Sequence, residues 1–266
     1  MTGHLDYLTY NREERDLCAH LFRLLLEDQP RWQPLKDFIE TDFTGSPRVF
    51  CEAALLRDAY HTRKPHKNDN KNIESEKLAG LTEFLNNVCE LIAAQEKVSN
   101  NYTPFSKLEP FELRTPRETH PRQIAYKLKE IGALRMPGDG KVYGALQGMF
   151  NAKPDLVICV DNTMYIYEAK YHMPFDELQL ERTKKIGQVW AELLHRDLGF
   201  DSKPKVEVRM LGLKKDKPQE GVSRYRFISW EKVLKIAKKQ WNPTNKDWVA
   251  SDYSMKVFSK VLKSDS

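Results

Sequence analysis

Cysteine is scarce. The chain has four (Cys18, Cys51, Cys89 and Cys159), widely scattered and with no CxxC spacing, so neither a zinc knuckle nor an iron–sulfur site is suggested. Each sits in an apolar-rich stretch and reads as a small buried thiol, a usage that fits a reducing cytoplasm. Long hydrophobic runs are missing too. A compact run such as Leu156-Val157-Ile158-Cys159-Val160 is far short of the roughly 20 residues that a membrane span needs, so no membrane partner is expected. The N-terminal Met1-Thr2-Gly3-His4-Leu5-Asp6 lacks a basic region followed by an apolar core, so no secretory signal is expected. There is no Walker loop, no Gly-rich dinucleotide fingerprint, no HExxH and no GxSxG. Gly138-Asp139-Gly140 reads as part of a turn.

What is present is ordinary in bulk: 266 residues, 40% hydrophobic and 30% charged, enough for one large domain or two small ones. The net charge of +5 is mild but unevenly spread. Between Asp201 and Gln240 stand twelve Lys or Arg against five acids, a local excess of +7. Such a surface draws polyanions by counterion release; it also serves as a plain solvated face.

Leu17, Leu21, Leu24 and Leu25 repeat at helical spacing, as do Leu78, Leu81, Leu85, Val88 and Ile92, and the first hundred residues read as helical. The polar stretch from His61 to Asn72 reads as a loop; its His61, His66, Arg63, Lys64 and Lys67 are placed either to touch a phosphate backbone or simply to face water. Prolines 104, 110, 116 and 121 mark a connecting region. A short helix is expected from Pro121 to Ala133, and a turn at Met136 to Gly140. Then the period changes. Gly144 to Phe150 reads as a strand, Asp155 to Val160 as a β-branched strand, Asp161-Asn162 as a turn, and Met164 to Ala169 as its hairpin partner. Asp176 to Leu198 reads as a long amphipathic helix, Lys205 to Leu213 and Tyr225 to Ile228 as further strands, and Ser229 as the N-cap of a basic helix. The order points to an α/β (α+β) fold with a mixed central sheet flanked by helices. The boundaries read from it are a helical N-terminal region, 1–103, contributing a core helix around 47–61; a core, 104–241; and a packed C-terminal tail, 242–266.

The chemistry gathers at Pro154-Asp155 and Glu168-Ala169-Lys170. Residues two apart in a strand share a face, so Glu168 and Lys170 point one way and Ala169 the other. Hairpin geometry brings Asp155 beside Glu168. Two carboxylates, a main-chain carbonyl and waters suit Mg²⁺, and a nearby ammonium stabilises developing negative charge.

In these residues, and in the strand, turn, strand, helix, strand context around 120–215, the chain resembles the PD-(D/E)XK nuclease superfamily of restriction-enzyme-like phosphodiesterases. The resemblance implies a restriction-endonuclease-like core, Mg²⁺ (with Mn²⁺ able to substitute) held by Asp155, Glu168 and the Ala169 carbonyl, and Lys170 assisting the attacking water. Members often carry a glutamine on the following helix. Of Gln179 and Gln188, only Gln179 falls on the stripe of Ile186, Trp190 and Leu193. Members also often have an earlier acid. Glu52, at the edge of a stripe of Val49, Ala53, Leu56 and Tyr60, is the best match, a salt bridge to Arg48 or Arg57 being the alternative; Glu130 is a weaker rival. The long gap from Glu52 to Asp155 departs from the compact pattern of the superfamily. Lys184, Arg182, Lys214, Lys215 and His172 are assigned to nucleic-acid contact, and Arg182 and Thr183, which flank the stripe of the same helix, are placed to reach a phosphate.

The expectation is therefore a Mg²⁺-dependent nuclease acting on nucleic acid, foremost DNA, in restriction, anti-phage defence or repair, with homodimerisation left open. The alternative is a non-catalytic module that binds nucleic acid through 201–240.

Overall fold

The leucine stripe at the N-terminal end forms helix α1 (Glu14–Leu25), and the next apolar stripe, with Pro34 in its first turn, forms α2 (Gln33–Ile39). A proline there forfeits no hydrogen bond, because the first helical N–H groups have no partner anyway. The structure is a computed structural model that describes residues 14–66, 68–108, 120–171, 174–214, 224–240 and 259. Lys67, His172, Lys215 and almost all of the 242–266 segment lie outside the described residues.

After α2 come strand β1 (Arg48–Cys51) and helices α3 (Leu55–Arg63) and α4 (Lys71–Gln95). Helices α5 (Ile124–Glu130) and α6 (Asp139–Asn151) follow, then the hairpin β2 (Leu156–Val160) and β3 (Thr163–Ala169). Helix α7 (Glu177–Leu193), strands β4 (Lys205–Gly212) and β5 (Arg226–Ser229), and helix α8 (Trp230–Gln240) complete the order. The fold is α+β, with one five-stranded sheet in the order β1-β2-β3-β4-β5. β1, β2 and β3 pair antiparallel, while β4 joins β3, and β5 joins β4, in parallel. The sheet is mixed because a tight turn at Asp161-Asn162 suffices between β2 and β3, whereas a helical crossover is needed between β3 and β4.

Contacts divide the chain into two compact units. The first holds the described parts of Met1–Ala53, Pro154–Lys184 and Leu198–Ser266, and so contains the sheet; the second holds Ala54–Lys153 and Lys185–Asp197. In the first unit one face of the sheet (Leu156, Ile158, Tyr165, Tyr167, Ala169, Leu211, Ile228) packs against Leu17, Leu21 and Leu24 of α1, Leu35 and Phe38 of α2, and Val233 and Ile236 of α8. The other face buries Val208 and Met210 against Leu180 of α7. With both faces covered, β2 is buried along its whole length, which is why its sequence is a continuous apolar run rather than an alternation. Each fully buried Leu or Ile here contributes about 1.5–3 kcal/mol. In the second unit Leu81, Leu85, Val88 and Ile92 of α4 are buried together with Val142, Leu146 and Phe150 of α6.

Three expectations are corrected. The stretch 47–61 is not one helix: Arg48–Cys51 forms β1, and the helix begins only at Leu55. The four residues Arg-Val-Phe-Cys pair with β2, far away in sequence, so nothing local marks them as a strand. Gly144 to Phe150 is helix α6, not a strand; Val142, Tyr143, Leu146, Met149 and Phe150 form a helical stripe, and a Cβ at Gly144 or Gly148 would meet nothing. The boundaries 1–103 and 104–241 are not those of the compact units. Residues up to Ala53 belong with the sheet, and Ala54–Lys153 stands in chain order as an insertion between β1 and β2. That insertion accounts for the long gap between Glu52 and Asp155.

Candidate active site

The pairing of β2 with β3 sets Leu156 opposite Tyr167. One step outward, Asp155 and Glu168 fall opposite each other at the end of the hairpin. Directly opposed residues of an antiparallel pair project from the same face, with Cβ atoms roughly 4.5–5.5 Å apart. Alternation along β3 puts Glu168 on the face with Met164 and Ile166, which is the face that α7 covers.

Glu168 is only 7% exposed. Its carboxylate is gripped from α7: Gln179 donates from Nε2 to Oε2 at 2.8 Å, and the Thr183 hydroxyl donates to Oε1 at 2.5 Å. Gln179 and Thr183 are four residues apart, one above the other on a helix. Asp155, just before β2, accepts the Ala169 N–H on Oδ2 at 2.8 Å, so the two signature segments are joined directly. Burial pushes the Glu168 carboxyl up to about 7, and the negative charge of Asp155 adds to that; the hydrogen bonds from Thr183 and Gln179 and the charge of Lys170 work the other way. Burial therefore outweighs two hydrogen bonds and the nearby Lys170 charge together.

Lys170 follows β3 directly, and its main chain is held on both sides. Its N–H donates to the Leu211 carbonyl at 2.7 Å, and its carbonyl accepts the Trp230 indole N–H at 3.2 Å. Trp230 is fully buried at the start of α8, whose first turn is capped by the Ser229 hydroxyl accepting the Lys232 N–H at 3.3 Å.

Glu52 stands just past β1, not on a helix. Its N–H donates to the Asp155 carbonyl at 3.0 Å, which extends the ladder by one step, and its backbone is left-handed, with φ of 50°. Left-handed geometry is uncommon for a residue other than Gly, Asn or Asp. Its charge and that of Asp155 are felt by the neighbouring Cys51 thiol, which burial pushes up first and the two carboxylates push up further. Glu52, Asp155 and Glu168 therefore lie at the neighbouring ends of β1, β2 and β3.

The residues assigned to nucleic-acid contact scatter. Arg182 and Lys184 are exposed on α7, and Lys214 is exposed after β4, where its N–H donates to the Glu231 carboxylate at 3.1 and 3.2 Å. His172 and Lys215 lie outside the described residues. Glu130 pairs with Lys127 at 2.9 Å, and Gln188 accepts from Gln95 at 3.3 Å, both within the second unit. Six of the twelve basic residues of 201–240 stand in ion pairs. Lys205 and Arg209 pair with Glu207, Arg224 with Glu177 and Glu181, Arg226 and Lys232 with Glu40, and Lys239 with Asp37. Thr183, which the sequence placed to reach a phosphate, instead holds Glu168. Its spacing of four from Gln179 was the available signal.

Among the described residues no group of three or more His, Cys, Asp or Glu side chains is placed to hold a metal ion. The donor set is two carboxylates, Asp155 and Glu168, with the Ala169 main chain between Glu168 and Lys170. That set fits Mg²⁺, which keeps several waters and takes only one or two protein carboxylates. Comparison with known protein families, with curated proteins and with solved structures gave no match.

Proposed function

We propose that the protein is a metal-dependent phosphodiesterase, a nuclease acting on DNA, with its site at the Asp155/Glu168 end of the sheet. The observation that carries this reading is the meeting of the two signature segments, where Asp155 accepts the Ala169 N–H beside the buried Glu168 that Gln179 holds. Asp155 and Glu168 would hold Mg²⁺ or Mn²⁺, together with the Ala169 carbonyl. A cation there supplies positive charge that polarises the scissile phosphoryl group. Gln179 and Thr183 fix the Glu168 carboxylate in one orientation, so that both of its oxygens are preset. The Lys170 ammonium stabilises negative charge that develops on the phosphate oxygens. Glu52 sits one strand away, where its charge strengthens the demand for a cation.

The test is cleavage of plasmid and linear DNA with Mg²⁺ or Mn²⁺ by the wild type, Glu168→Ala and Lys170→Ala. Loss of about 10²-fold or more in rate for each variant is expected, the scale of removing one preorganised charge-stabilising group. An inert wild type, or variants that cut equally well, would refute the proposal.

A further inference from the structure

The second unit gathers positive charge around two histidines. Arg57 and His61 stand one turn apart on α3, and Lys64 follows directly at its C-terminal end. The short 3₁₀ turn Pro121–Gln123 brings His120 and Arg122 to them. The His61 and His120 rings lie 5.4 Å apart between centroids, the Tyr60 ring lies 5.2 Å from His120, and the Lys64 ammonium stands 6.0 Å from the Tyr60 ring. Phe150 closes the floor, 6.2 Å from His120. Arg122 is held by its Nε donating to Asn151 Oδ1 at 2.7 Å, and its N–H donates to His120 Nδ1 at 3.1 Å. That bond leaves the Nε2 edge of His120 as its remaining polar edge. Burial pushes His120 down to about 4, and His61, Arg122, Lys64 and Arg57 push it the same way. The acid nearest in sequence, Asp58, is solvent-facing and 3.9 Å from Arg57. Arg63 is drawn elsewhere, onto Asp197 and the Phe84 ring.

Two imidazoles alone would suit a metal ion. Three fixed cations around them repel one and instead favour an anion whose oxygens accept from arginine, lysine and imidazole together. We propose that Arg57, His61, Lys64, His120 and Arg122 form a phosphate-binding site in the second unit, distinct from the Asp155/Glu168 site. Its ligand is a phosphate group, either of a nucleic-acid backbone or free.

The test uses the full chain with two probes: inorganic phosphate, followed by the imidazole NMR signals of His61 and His120, and a short fluorescein-labelled DNA duplex, titrated at several salt concentrations. Phosphate is expected to move both imidazole signals in the wild type and to leave them unmoved in Arg57→Gln/Lys64→Gln/Arg122→Gln. If the backbone is the source, the triple variant also lowers the slope of log affinity against log salt by about 2 to 3, near 0.9 per lost contact. Lys64→Gln alone, which spares the Arg122–Asn151 bond, lowers it by about 1. A phosphate response without any change in duplex binding supports the site with free phosphate as its source. Unmoved imidazole signals together with an unchanged salt slope overturn it. Glu168→Ala keeps the phosphate response, so failure of this site and failure of the nuclease reading give separate results.

Discussion

Replacing Glu168 by Gln should make the protein more stable at neutral and alkaline pH, although it removes a residue held by two hydrogen bonds. In the folded chain this carboxyl titrates at about 7, against 4.5 for an ordinary glutamate. Below about pH 4 both the folded and unfolded chains carry the proton, and the site costs nothing. As pH rises from 4.5 towards 7, the unfolded chain releases its proton while the folded chain retains it, so stability falls with pH. Above 7 the loss is complete: a difference of about 2.5 pH units at 1.36 kcal/mol each, or about 3 kcal/mol. A glutamine is neutral and nearly isosteric, and both Gln179 and Thr183 can turn to serve it. Urea unfolding in EDTA at pH 5, 6, 7 and 8 should therefore show Glu168→Gln diverging upward from the wild type, with a gap of about 3 kcal/mol at pH 8. Mg²⁺ should narrow the gap by stabilising the wild type, by about 2.7 kcal/mol at a hundredfold excess over its dissociation constant. Two stability profiles that run parallel from pH 5 to 8 would refute the assignment of Glu168 as a carboxyl whose ionisation is opposed by burial.

Thr183→Val removes a hydrogen bond that holds the Glu168 carboxyl down, so the metal-free titration of Glu168, followed by carboxyl NMR, should move to higher pH; an unmoved midpoint would contradict the contact. Asp139→Ala should destabilise by about 4 kcal/mol in urea unfolding, because a fully buried carboxylate that accepts the N–H groups of Thr103, Arg135 and Met136 and the Thr103 hydroxyl leaves four donors unmet at about 1 kcal/mol each. Arg209→Ala should cost about 3–5 kcal/mol by the same measurement, since its guanidinium is 3% exposed, donates to the Ile39 carbonyl and Glu207, and lies 4.0 Å over the Tyr165 ring.

The hairpin that carries the candidate site was legible because its signals are local: β-branched runs, an Asp-Asn turn and a two-residue period that fixes which side chains share a face. Gln179 was legible for the same reason, through helical phase. Glu52 was misplaced because β1 is only four residues long and pairs with a strand on the far side of a large insertion. Asp139 was misread as part of a loose turn between two glycines. Its burial arises from Thr103, a segment distant in sequence whose N–H and hydroxyl it accepts. The +7 excess of 201–240 was visible, but its partners were not, for Asp37, Glu40, Glu177 and Glu181 come from other parts of the chain.

The bond from the Trp230 indole to the Lys170 carbonyl gives the protein a built-in optical gauge. An indole sealed from water and tied to the main chain of the lysine beside Glu168 emits according to the field around it. A chain in which the other four tryptophans are replaced by phenylalanine would report occupancy of that end of the sheet through its own ultraviolet emission, with no dye attached and no substrate turned over.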